Sequence, residues 1–73
     1  MDEEALNLSI RKFLKMVGIN SQREIERAVA KAIEANGGKD PVGPFPLTMT
    51  LRCDRLDLDE TFDGAIELTR GRD

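Results

Sequence analysis

The chain has 73 residues, no Trp, Tyr or His, three Phe, a single Cys and a net charge of −3. A core at this size is small and built from aliphatic side chains. One Cys excludes an intramolecular disulfide, and the lack of His leaves a conventional zinc site without its usual ligands.

The charge is uneven. Residues 1–36 carry six basic and six acidic side chains, and residues 37–73 carry five basic and eight acidic. This is not the balance of a basic nucleic-acid binder. The acidic N-terminal segment and the absence of any long apolar run predict no signal sequence and no membrane span. With the lone thiol, these features predict a cytoplasmic location.

The first element is a helix over about 2–17. Leu6, Ile10, Phe13, Leu14 and Val17 recur at the spacing of one helix face. Asp2 stands where a cap would accept from free N–H groups, and Glu3 and Glu4 face the positive end of the helix dipole. Gly18 follows the last periodic residue, as a C′ glycine would. Ser21-Gln22-Arg23-Glu24 matches the capping box S-x-x-E. A second helix over about 21–36 is therefore predicted, with Ile25, Ala28, Val29, Ala32 and Ile33 as its apolar stripe and Asn36-Gly37-Gly38 as its stop.

Residues 37–45 form a linker rich in glycine and proline. Beyond it the period changes to two. Phe45, Leu47, Met49, Leu51 and Cys53 alternate with Pro46, Thr48, Thr50 and Arg52. Leu56 and Leu58, then Phe62, Gly64, Ile66 and Leu68 form the matching set. The prediction is an antiparallel hairpin over about 46–69, turning within Asp54–Glu60, with Arg70–Asp73 frayed. The fold class is α+β: one domain, 1–73, with a two-helix hairpin packed on a two-stranded β-hairpin in the order α-α-β-β.

Leu6-Asn7-Leu8-Ser9-Ile10-Arg11-Lys12-Phe13-Leu14-Lys15, then Val17-Gly18, Ser21-Gln22-Arg23-Glu24-Ile25-Glu26 and Asp63-Gly64-Ala65-Ile66-Glu67-Leu68 carry a likeness to known sequences. In them the chain resembles a family of small bacterial proteins that is a domain of unknown function. The resemblance spans nearly the whole chain. It implies no activity, no cofactor and no functional residue.

Four features invite a functional reading. The helix pair around Gly18–Ser21 has the outline of a DNA-binding helix-turn-helix, with Arg23, Arg27 and Lys31 in line on the second helix to meet phosphates. Against it, Leu14 stands where that motif wants a small residue, and no third helix precedes the pair. Glu24, Glu26 and Glu34 interleave with the cations, which fits a solvated face with ion pairs such as Arg23–Glu26 and Lys31–Glu34.

The acidic run Asp54, Asp57, Asp59, Glu60 and Asp63 follows part of a calcium-loop template from Asp59 to Gly64. Arg70 then occupies the position where the template needs its bidentate Glu. Cys53 shares the alternating face of Met49 and Leu51, as a small core residue does, and has no His to activate it. Neither pattern points to an enzyme, a metal, a cofactor or a small-molecule ligand.

Ala5, Leu8 and Met16 form the fourth, roughly opposite the Ile10 and Phe13 stripe. They suggest a second contact surface for another protein or a homodimer. A small non-catalytic interaction or structural protein that self-associates is the functional expectation, with the weak nucleic-acid-binding module on helix 2 as its alternative.

Overall fold

A computed structural model describes residues 1–69. It divides into two compact units, one spanning Met1–Lys39 and the other beginning at Asp40. Each is described by itself.

The first unit is a single helix, α1, Glu3–Ala35, of 33 residues. It begins as the sequence predicts: Asp2 is the N-cap, and its Oδ1 accepts from the backbone N–H groups of Glu4 and Ala5, each at 3.1 Å. These bonds satisfy two donors that the first turn would otherwise leave free. The helix also ends where expected. Gly37 and Gly38 take φ of 70° and 81°. The N–H of Gly38 donates to the Ile33 carbonyl at 2.9 Å and that of Gly37 to the Glu34 carbonyl at 3.3 Å. This pair of bonds is the Schellman arrangement, which needs residues free to adopt positive φ.

The expected break at Gly18–Ser21 is absent, so there is no two-helix hairpin. Gly18 and the Ser21-Gln22-Arg23-Glu24 segment both lie inside α1. The reason is energetic. A glycine inside a helix costs about 1 kcal/mol relative to alanine. A stop and restart would leave several backbone donors and acceptors without partners on both sides of the break. Leu14, Val17, Ser21 and Ile25 also keep the helical spacing across the proposed gap, so continuity preserves one unbroken face.

The second unit contains the β-hairpin. Strand β1, Phe45–Cys53, runs antiparallel to β2, Leu58–Ile66. A short 3-10 turn, Asp54–Leu56, joins them, and Asp57 closes it in the left-handed region at φ 54°. The Asp57 N–H donates to the Asp54 carbonyl at 3.1 Å. Asp is among the few non-glycine residues that tolerate this conformation. The turn falls within Asp54–Glu60; β1 starts at Phe45, one residue before the predicted 46, Leu56 lies in the turn, and β2 ends at Ile66 instead of near 69. The expected fraying of Arg70–Asp73 lies outside the described residues.

Register places Phe45 opposite Ile66, Leu47 opposite Gly64, Met49 opposite Phe62, Leu51 opposite Glu60 and Cys53 opposite Leu58. Because side chains alternate along a strand, these ten positions share one face. Glu60 is its only charged member. The other face pairs Thr48 with Asp63, Thr50 with Thr61 and Arg52 with Asp59. There the two Thr hydroxyls lie 3.3 Å apart and Arg52 Nε lies 3.6 Å from Asp59 Oδ1. The hairpin is thus amphipathic, with one apolar face.

Candidate interaction surface

Neither unit has an interior of its own. Among the described residues no side chain is buried. A lone helix has nothing to bury its stripe against, and a two-stranded sheet on its own is at best marginally stable in water. The exposed apolar side chains are therefore the feature that needs a functional account.

On α1 these side chains fall on two sides. Leu6, Ile10, Phe13, Leu14 and Val17 occupy an arc of about 100° at the angular step of an α-helix. The first four are 44–55% exposed. With the helix unbroken, the stripe continues through Ser21, Ile25, Ala28 and Ala32. From Leu6 its steps are 4, 4, 3, 4, 4, 3 and 4 residues, an eleven-residue repeat whose period stays close to that of a straight helix. Ser21 and Ile25 are half-buried, as are the neighbouring Val29 and Ile33, and Ala28 and Ala32 are exposed.

The second side carries Ala5, Leu8 and Met16, as the sequence indicated. Ile19 joins them, and sequence reasoning missed it because it fell in the supposed inter-helix turn. Leu8, Met16 and Ile19 are 44–62% exposed. Steps of three and four residues through Lys12 place Ala5, Leu8, Met16 and Ile19 in an arc of about 80°, centred roughly 150° from the first stripe. The signal that could have found Ile19 is this spacing, which makes sense only on a continuous helix.

The helix-turn-helix reading does not survive, because there is no turn. Arg23, Arg27 and Lys31 project from the middle and end of α1, all exposed. Arg27 Nη1 is 2.8 Å from Glu24 Oε2, and the Gln22 amide donates to Glu26 Oε2 at 3.1 Å. The ion pair present on this ridge is therefore Glu24–Arg27, not the anticipated Arg23–Glu26 or Lys31–Glu34. Both partners of the Glu24–Arg27 pair are about 70% exposed, so water screens the attraction and the pair adds little stability.

The acidic run is spread over the turn and β2, so its carboxylates do not converge. Asp59, Thr61 and Asp63 point to the polar face and Glu60 to the apolar one. A calcium loop must instead curl its oxygens around a centre. Among the described residues no group of three or more Asp, Glu, Cys or His is placed to hold a metal ion. Cys53 is free and half-buried at the end of β1, opposite Leu58 on the apolar face. Arg52, next to it in sequence, is turned to the other face by its contact with Asp59.

Over residues 1–69 the sequence matches the model of the Family of unknown function (DUF6494). The chain belongs to this family. No curated protein and no solved structure shows a significant match. Membership in DUF6494 brings no activity with it, so a functional reading of this member rests on its own surface. Among the described residues, no helix is long and apolar enough to cross a membrane.

Proposed function

We propose that this protein is a non-catalytic interaction or structural protein that self-associates through the apolar surface of α1. One observation carries the reading. The helix has apolar residues on two sides, Leu6, Ile10, Phe13 and Leu14 on one and Ala5, Leu8, Met16 and Ile19 on the other. The hairpin has a single apolar face. Among the described residues no side chain is buried, which leaves apolar surface for a second subunit to cover. A second subunit is the common way for a domain of this size to gain buried area when disulfides and metals are absent.

Catalysis has little support. Cys53 has no histidine to activate it, and the acidic residues are dispersed along a strand. Nucleic-acid binding has little support either, since the basic ridge of α1 is interleaved with Glu24, Glu26 and Glu34. The lone thiol fits a reducing compartment such as the cytoplasm.

Melting at several protein concentrations tests the assembly. When folding is completed by association, Tm rises with concentration by mass action. A Tm independent of concentration over two decades would show a self-sufficient monomer and end this reading.

A further inference from the structure

We infer that the free edge of β2 pairs antiparallel with β2 of a second copy of this chain, about a two-fold axis at Phe62, to make a four-stranded sheet. This rests on the self-association reading and adds a contact that α1 does not supply.

Exposure selects the strand. Along β1, Phe45, Leu47, Leu51 and Cys53 are half-buried, whereas β2 is exposed at every position from Asp59 to Ala65. Among the described residues the sheet has only these two strands. Two strands alone are marginal in water, while three or more with an apolar face can stand by themselves.

Pro46 shows which backbone groups point outward. It has no N–H, yet the ladder runs unbroken through its pair with Ala65, so the backbone groups of that pair point away from the neighbouring strand. Hydrogen-bonded and non-bonded pairs alternate, so the same holds for Thr48–Asp63, Thr50–Thr61 and Arg52–Asp59. The 3.3 Å separation of the Thr50 and Thr61 hydroxyls agrees, because side chains come closest in such pairs. Asp59, Thr61, Asp63 and Ala65 therefore present the donors and acceptors of the β2 edge. The β1 edge lacks the donor at Pro46, which blunts it.

Charge selects the register. In an antiparallel pair of β2 strands, those outward residues must face one another to exchange hydrogen bonds. Centring the pair on Phe62 sets Asp59 opposite Ala65 and Thr61 opposite Asp63, so each outward group on both copies gains a partner. On the other face Leu58 meets Ile66, Glu60 meets Gly64 and Phe62 meets its own copy. No acid opposes an acid. Moving the centre to Thr61 sets Asp59 opposite Asp63, and moving it to Asp63 sets that residue against itself. Like charges directly opposite are destabilising. The contact centred on Phe62 is isologous and closes as a dimer whose outer edges are both β1.

Cysteine cross-linking reads the register. In a Cys53→Ser background, Phe62→Cys and Glu60→Cys are oxidised separately under mild conditions and run on a non-reducing gel. Phe62 is 58% exposed and Glu60 is exposed too. The pairing puts the two Cα atoms at position 62 about 4.5 Å apart, within disulfide reach, and those at position 60 about 14 Å apart, outside it. Phe62→Cys is expected to form the covalent dimer at least about tenfold faster. Thr61→Pro removes an outward donor from β2, and Thr50→Pro, directly across the hairpin, removes one from β1. The first should raise the dimer Kd about tenfold over the second. In a protein that sediments as a dimer, equal cross-linking of the two cysteine variants, or equal Kd values for the two proline variants, overturns the strand pairing and leaves the α1 reading standing. A parent that sediments as a monomer overturns both.

Discussion

Gly18 and Ser21 sit one turn apart inside an unbroken helix. Gly18 has no other group within 4 Å of where a Cβ would stand, and its φ is not positive. Adding a methyl group there removes conformational entropy from the unfolded chain without a clash. Gly18→Ala is expected to stabilise the protein by about 0.5–1 kcal/mol. Ser21→Ala should be neutral or slightly stabilising, because this Ser caps nothing. Thermal melts followed by circular dichroism decide it. A loss of about 1 kcal/mol in both variants would mean that the helix breaks there after all.

Asp57 holds the left-handed position that lets β1 turn into β2. Asp57→Val should cost about 1–2 kcal/mol, since a branched side chain is strained at that φ. Asp57→Gly should match the parent or exceed it slightly. Equal melting of all three proteins would show that the turn is not held in this conformation.

Excess calcium, or EDTA, is expected to leave Tm unchanged. Asp59, Glu60 and Asp63 alternate between the faces of β2 and cannot enclose a cation. A rise of several degrees with calcium would require a site that the strand geometry does not offer.

Changing Arg23, Arg27 and Lys31 together to Gln removes the exposed Glu24–Arg27 pair. It should cost no more than a few tenths of a kcal/mol and leave the mass in solution unaltered. Loss of assembly in this variant would place the basic ridge, not the apolar stripe, at the contact.

The hairpin was largely legible in the sequence. Phe45 to Cys53 and Leu58 to Ile66 alternate, with Glu60 the one charged residue on the apolar face, and a one-residue slip would turn the large apolar side chains to the other face, so pattern and register define each other. The ends of α1 were legible too, because Asp2 and Gly37-Gly38 do chemistry that only helix ends require. The middle was not. Ser21-Gln22-Arg23-Glu24 looks the same as a cap or as part of a helix interior. Gly18 likewise suits either a C′ position or a tolerated interior one. Local signals could not weigh the cost of breaking the helix against one glycine. That misjudgement also hid Ile19, which belongs to the apolar line of Ala5, Leu8 and Met16.

Sedimentation equilibrium on three proteins tests the central claim most directly. The parent should have twice the 8.1 kDa mass of one chain. Ile10→Glu with Leu14→Glu places charge on the first apolar side and should give monomers. Leu8→Glu with Met16→Glu places charge on the second apolar side and should also shift the dimer towards monomers. A parent that stays at the mass of one chain up to high concentration would contradict the account. So would a dimer that survives both pairs of changes.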